Sequence, residues 1–115
     1  MAKNYIQPGG TLTVTSPAGG LLSGEGAMIG DIFGVASYDA IATAEVELVT
    51  EGVFTLPKSA GVIAEGAQVW WDDSGKVISN VTSPGFFPIG VCVGGAADAD
   101  PTCNVRLDGT AVIAA

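Results

Sequence analysis

Histidine is absent from this chain of 115 residues. Its absence removes Ser–His–Asp and Cys–His catalysis and the usual zinc sites, all of which need an imidazole. Adjacent Lys58 and Ser59 leave a Ser–Lys dyad formally open, but neighbouring residues of a strand or helix point in different directions. We therefore expect no enzymatic activity, no catalytic residues and no cofactor.

Positive charge is scarce, with four basic residues against twelve acidic ones and a net charge of −8. The basic residues are isolated from one another: Lys3, Lys58, Lys76 and Arg106. Because phosphate backbones and anionic lipids attract clustered cations, we expect neither a nucleic acid nor a membrane as partner. No apolar run reaches the roughly 18 residues of a membrane helix, and residues 1–8 lack the apolar core of a signal peptide. Synthesis and retention in the cytoplasm are expected.

The sequence has only two cysteines, Cys92 and Cys103. Strand alternation predicts that Val91 faces the core, so that Cys92 faces outward, whereas Cys103 shares the core face with Val105. Reduced thiols are therefore the expectation. A disulfide stays open as an alternative, because a β-bulge would bring both thiols to one face.

Acidic residues supply one candidate metal site, in the loop around Asp98 and Asp100. The spacing departs from that of a helix-flanked calcium loop, which has a central glycine and a distal bidentate glutamate. We expect a solvated loop and no metal. Asp72 and Asp73 are expected in a turn, where aspartate side chains bond to the backbone.

Seventeen glycines are too many for a helical protein, because glycine weakens helix interiors. Strands are predicted over residues 11–15, 27–37 with breaks at Gly30 and Gly34, 44–50 resuming over 53–56 after Gly52, 68–72, 76–79, 87–93, 103–107 and 110–114. Residues 68–79 are predicted to form a hairpin in which Gly75 supplies the positive φ, and residues 57–66 a short helical turn. The fold class is all-β: a small single-domain β-sandwich or barrel with one short helical turn.

Two segments are candidates for contact with a partner. Residues 1–10 are expected to form an N-terminal arm, preceding a domain over residues 11–115, and its apolar residues are Tyr5, Ile6 and Pro8. Trp70 and Trp71 must face opposite sides of one strand, so one is expected in the core and the other exposed or covered by a partner. A stacking platform for sugars is an alternative use of the exposed indole.

The order of several motifs is similar to that of a known family. The quoted segments are residues 1–9 (MAKNYIQPG), 12–15 (LTVT), 17–20 (PAGG), 30–36 (GDIFGVA), 51–58 (EGVFTLPK), 66–72 (GAQVWWD), 89–91 (IGV) and 105–109 (VRLDG). Together they resemble the bacteriophage capsid cement, or decoration, proteins along nearly the whole chain. Trp70 stands where the family pattern has tyrosine, and Ala44 where it has glycine.

The resemblance implies a structural virion protein on the outer surface of an icosahedral head. It implies a homotrimer that binds between capsomers of the major capsid protein after the shell expands, with no catalytic residues. A carbohydrate- or receptor-binding module on the head surface stays open as the alternative function.

Overall fold

The computed structural model describes residues 4, 9–109 and 112 of the chain. Three predicted contact residues, Tyr5, Ile6 and Pro8, lie outside these residues, as does all of the final strand predicted over 110–114 except residue 112. The described part contains nine strands and no helix, arranged as two antiparallel sheets. The predicted all-β class is confirmed, and the pair of sheets is sandwich-like.

Sheet one has four strands in the spatial order β1-β4-β3-β2. Its strands are β1 (Thr11–Thr15), β2 (Gly26–Ile29), β3 (Ile32–Ala36) and β4 (Glu45–Val49). In the β1–β4 pair, Leu12 lies opposite Leu48 and Val14 opposite Val46, while the threonines of β1 are exposed. The period-two pattern of β1 therefore places its apolar residues inward, as alternation predicts.

Sheet two has five strands in the spatial order β5-β9-β8-β6-β7. Its strands are β5 (Glu51–Pro57), β6 (Gln68–Asp72), β7 (Val77–Ser79), β8 (Phe87–Cys92) and β9 (Thr102–Asp108). The longest pairing joins β5 to β9 over seven residue pairs, whereas β8 and β9 share only two, Val91 with Arg106 and Cys92 with Val105. The β8–β9 pair, at the centre of the sheet, therefore has the fewest register pairs.

The chain passes from sheet one to sheet two at Thr50, which is buried. The Thr50 amide donates to the carbonyl of Gly10 at 2.8 Å, and its hydroxyl donates to the carbonyl of Gly9 at 2.8 Å. Both hydrogen-bond donors of the corner residue are therefore paired, as buried polar groups need to be. Residues 9 and 10, assigned to the arm from the sequence, are bonded to this corner.

The apolar interior consists of two clusters, one on each face of β3. Phe33 and Val35 belong to the larger cluster, shared with sheet two, and Ala36 belongs to the smaller one with Val46 and Leu48. Because side chains alternate along a strand, this division follows from the register of β3. Both faces of β3 are covered, which explains why four of its five residues are buried.

A β-bulge in β8 corrects the prediction that Cys92 faces outward. The pairing of β6 with β8 shifts between Val69–Gly90 and Trp70–Pro88, so Ile89 is an extra residue without a partner on β6. The extra residue resets the alternation, and both Ile89 and Cys92 are buried. The prediction was wrong because it assumed an unbroken period of two.

The helical turn predicted over residues 57–66 does not form. The Ile63 amide donates to Ala96 at 2.9 Å and the Ala96 amide to Ile63 at 2.8 Å, and Lys58 forms a parallel bridge with Ile78. Gly61 has a φ of +123°, which no helix contains. Pairing with neighbouring chain segments replaces the local bonds of a helix.

The hairpin of β6 and β7 is confirmed, with a different residue in the left-handed conformation. The Asp72 carboxylate accepts hydrogen bonds from the amides of Ser74 and Gly75 at 3.1 and 3.2 Å, as expected for a turn aspartate. The positive φ belongs to Lys76, at 56°, and not to Gly75.

Gly90 offers a test of the central ladder of sheet two. A Cβ atom at this position would overlap the carbonyl oxygen of Arg106 in β9. We expect Gly90→Ala to lower the free energy of unfolding by about 2–3 kcal/mol, because β9 would have to move. Gly9→Ala is the matched control, since its Cβ would meet no atom within 4 Å. Equal urea-unfolding curves for the two variants would contradict this packing.

Candidate contact surfaces

The polar loop around Asp98 is organised by the backbone. The Asp98 carboxylate accepts the Gly61 amide at 2.7 Å, and the Asp100 carboxylate accepts the Ala97 amide at 2.9 Å. Lys58, a buried residue, donates from Nζ to the carbonyls of Asp98 and Asp100 at 3.4 and 3.2 Å. The carboxylates of the suggested calcium site and the lysine of the suggested Ser–Lys dyad therefore bond to the backbone and hold this part of the chain in place. The described residues contain no cluster of three or more Cys, Asp and Glu residues suited to a metal ion.

The two tryptophans lie on opposite faces of β6, as alternation predicts. Trp71 is only 1% exposed, packs against Phe33 with ring centroids 5.0 Å apart, and donates from Nε1 to Asp73 at 3.0 Å. Trp70 is half-buried on the outer face, where its register partners are Ser79 and Pro88. The fold uses Trp71 in the core, which leaves Trp70 as the indole available to a partner.

The middle of the outer face of sheet two is apolar around Arg106, and Glu51 and Asp108 lie opposite each other at one end. The register aligns Val53, Arg106, Val91 and Gln68 in one row across four strands. Val53 is 56% exposed, and Val93, which shares the outward alternation of Val91, is 40% exposed. We name Val53, Val91, Val93 and Arg106 the valine face; Trp70 lies beyond Gln68 on the same side of the sheet.

The exposed face of strands β1 and β4 has a different character. Exposed Glu45 and Glu47 lie opposite Thr15 and Thr13, so carboxylates alternate with hydroxyls across the two strands. The register puts these side chains on the same face of sheet one as Val35, but they are exposed. The described residues of these two strands contain no basic side chain. We name this surface the acidic face; it differs from the valine face, where exposed valines surround Arg106.

A second exposed apolar area lies at the loops that cover the smaller core cluster. Leu22 and Ile41 are exposed, and they line a shallow concavity of about 530 Å³ together with Glu25 and Asp39. The carboxylates are already bonded within these loops: Glu25 accepts the Leu22 amide at 2.6 Å, and Asp39 accepts the Ser23 amide at 2.7 Å. We name this area the loop cleft.

Sequence reasoning did not select the residues of the valine face or of the loop cleft. For Val53 the signal was present, because alternation with Phe54 and Leu56 turns it outward. For Leu22 and Ile41 no strand pattern exists, and exposure depends on how two loops pair through the bridge between Leu21 and Ala40. The sequence predicts contact residues only among the two tryptophans and the N-terminal arm.

Two thiols lie in the core beneath the valine face. Cys92 and Cys103 are not joined by a disulfide, and their thiols are in hydrogen-bond contact with Sγ atoms 3.0 Å apart. Burial raises the pKa of Cys103 to about 12, and the neighbouring Cys92 adds to the increase, while the Lys58 ammonium opposes it. Cys103 is therefore a neutral core side chain at neutral pH.

The raised pKa of Cys103 predicts a loss of stability in alkali. Below pH 9 the Cys103 thiol is protonated in both the folded and the unfolded chain. Between the ordinary pKa of 9.0 and the folded-state pKa of about 12, only the unfolded chain releases this proton, so rising pH favours unfolding. The free energy of unfolding should fall by up to about 1.4 kcal/mol per pH unit in this range. Urea unfolding in reductant checks this, and Cys103→Ala should show a shallower fall. Parallel pH curves would contradict it.

The chain so far defines a small all-β protein whose distinctive exposed features are contact surfaces. Within residues 4, 9–109 and 112, no helix has the length and hydropathy to cross a membrane. The family model of phage cement proteins matches residues 6–107 of the 115. The chain therefore belongs to the phage cement protein family. Comparison with curated proteins and with solved structures gave no significant match.

Family membership confirms the resemblance of the sequence motifs and indicates a structural role in the phage capsid. A cement protein associates with the virion shell, which agrees with a chain whose exposed surface offers apolar faces for contact.

Proposed function

We propose that this protein binds the outer surface of an icosahedral phage head, between capsomers of the major capsid protein, and stabilises the expanded shell without covalent bonds. The observation that carries the proposal is the contrast between the valine face and the acidic face of β1 and β4. In a cement protein, such a contrast gives the domain one surface for the shell and another for water.

The orientation follows from the cost of removing each face from water. Burying exposed valines releases about 25 cal/mol for each Å² of apolar surface. Burying Glu45 and Glu47, both exposed, would require cations from the partner to compensate their lost hydration. The valine face, with Trp70 beside it, is therefore proposed to contact the capsid, and the acidic face to remain in solvent.

We further propose a homotrimer, made in the host cytoplasm, whose three copies bind together. Once one copy has bound, contacts of the other two become intramolecular, so affinity rises without new chemistry. Residues 1–10 are proposed as an arm, held at Gly9 and Gly10 by Thr50, that binds the capsid through Tyr5, Ile6 and Pro8. Residues 11–115 are proposed as the body. Light scattering of the free protein tests the trimer, since a particle of three 11.4 kDa chains is expected.

Stabilisation of the shell follows by mass action. A ligand that binds the intact shell and not the disrupted one shifts the equilibrium toward the intact form. Heads assembled without this protein should rupture at lower temperature than complete heads, and adding the purified protein back should restore the difference. Heads that are equally heat-resistant with and without it would remove the cementing role.

The alternative of a carbohydrate-binding module has weaker support. Stacking on a sugar needs an open aromatic face, whereas Trp71 is in the core and Trp70 is half-buried between its neighbours on a sheet. Tryptophan fluorescence that changes on addition of glycans would favour this alternative.

The orientation is tested by placing one negative charge on either face. Val53→Asp lies on the valine face, and Thr11→Asp lies at an exposed site of β1, opposite Val49. We expect Val53→Asp to weaken binding to heads at least about tenfold, because contact with the shell removes the new carboxylate from water, and pairing with Arg106 opposite it leaves a net cost of about 1.4 kcal/mol or more. Thr11→Asp should bind within about twofold of the original.

Co-sedimentation with heads that lack the protein measures both affinities, and circular dichroism checks that both variants fold. The proposed orientation would be overturned if Thr11→Asp lost binding and Val53→Asp kept it.

A further inference from the structure

Cys92 and Cys103 bring two buried thiols close together in the core. Both are buried, at 1% and 4% exposure, and their Sγ atoms are 3.0 Å apart. Cys92 lies opposite Val105, so Cys103 is its diagonal neighbour on the same face. The bulge at Ile89 places both thiols on that face.

We propose that Cys92 and Cys103 form a disulfide when the protein meets a small-molecule disulfide such as oxidised glutathione. One thiolate attacks the oxidant, forming a mixed disulfide and releasing one glutathione thiol. The second thiolate then attacks the protein sulfur of the mixed disulfide and releases the second glutathione. Two protein thiols are oxidised, and one molecule of oxidised glutathione is reduced to two thiols.

The structure permits the closure with a small movement. A disulfide needs an S–S separation of about 2.05 Å, so the sulfurs must approach by about 1 Å. Cys103 is held in β9, which pairs with β5 along its length, but Cys92 is the last residue of β8. Gly94 and Gly95 follow it closely, both with positive φ. Because the Cys92 amide donates to Ala67 and its carbonyl accepts from Gly66, both at 2.8 Å, the approach is made by the two side chains and not by a shift of β8.

The bond would reinforce the place where sheet two is least paired. Strands β8 and β9 share two register pairs, and the amide of Val93 adds one bond to the carbonyl of Asn104 at 2.8 Å. The disulfide joins these two strands beside that ladder and closes residues 93–102 into a loop. Such a cross-link lowers the conformational entropy of the unfolded chain, which stabilises the folded one.

The cellular compartment and the burial of the two thiols determine when the disulfide forms. Cytoplasmic thiol buffers keep cysteines reduced, whereas the medium outside a cell is oxidising. The two thiols are covered by protein, so reaction with an external oxidant requires local opening of the 93–102 loop. A slow oxidation after release from the host is therefore expected, and it needs no capsid contact.

The experiment uses the free, reduced protein, incubated with oxidised glutathione, then denatured and treated with N-ethylmaleimide. Intact mass spectrometry should find a chain lighter by two hydrogen atoms that carries no maleimide. Two maleimide additions after long incubation would overturn the proposal, and so would a persistent glutathione adduct, because it would show that the second thiol does not complete the exchange.

Thermal unfolding supplies a second readout on the same samples. The oxidised protein should unfold about 10 °C higher than the reduced one, and the difference should vanish on reduction. The matched control, Cys92→Ala with Cys103→Ala, should show no response to either reagent. An unchanged or lower unfolding temperature after oxidation would refute the stabilising bond. Because no heads are present, failure here leaves the proposed capsid binding untouched.

Discussion

The contact between Phe33 of sheet one and Trp71 of sheet two is the interaction on which the sandwich depends. The two rings join strands from different sheets inside the larger core cluster. Aromatic side chains bury large areas, so such a pair contributes more than most single contacts. Gly26 lies against the same rings, and a Cβ there would touch both. The sheets can approach closely here because β2 has no side chain at this point.

Because Trp71 faces the core, the side chains next to it along the strand must face outward. Alternation turns Trp70 to the outer face, and the antiparallel register then places Gln68, Val91, Arg106 and Val53 in one row beside it. The same rule makes the exposed face of β1 and β4 acidic, since Glu45 and Glu47 alternate with buried Val46 and Leu48. The difference between the valine face and the acidic face is thus a consequence of which residues the core requires.

Much of this fold was predictable from local patterns, and the exceptions have physical causes. Strand β1 and the β6–β7 hairpin follow from alternation and turn chemistry, which act over a few residues. The bulge at Ile89 does not, because it depends on the register of β8 against a strand some twenty residues earlier. The segment 57–66 had a helix-like start at Pro57, but long-range pairing of Ile63 with Ala96 outweighs that weak local preference.

The site was less predictable than the fold. A contact surface carries no sequence motif that identifies it. Alternation predicts that Val53 points outward, but it does not indicate that Val53 belongs to a contact surface. Exposure of Leu22 and Ile41 depends on loop pairing, which the sequence pattern does not encode. Tyr5, Ile6 and Pro8 lie outside the described residues, and their role stays a prediction.

The strand pair β8–β9 contributes side chains both to the core and to the outer face of sheet two. On β8, Val91 faces outward on the valine face, and the next residue, Cys92, faces the core against Cys103. In the proposed role, the contact surface keeps its geometry only while the strands beneath it stay paired. The shortest ladder of the sheet carries part of the proposed contact surface, so any bond between β8 and β9 would also strengthen that surface.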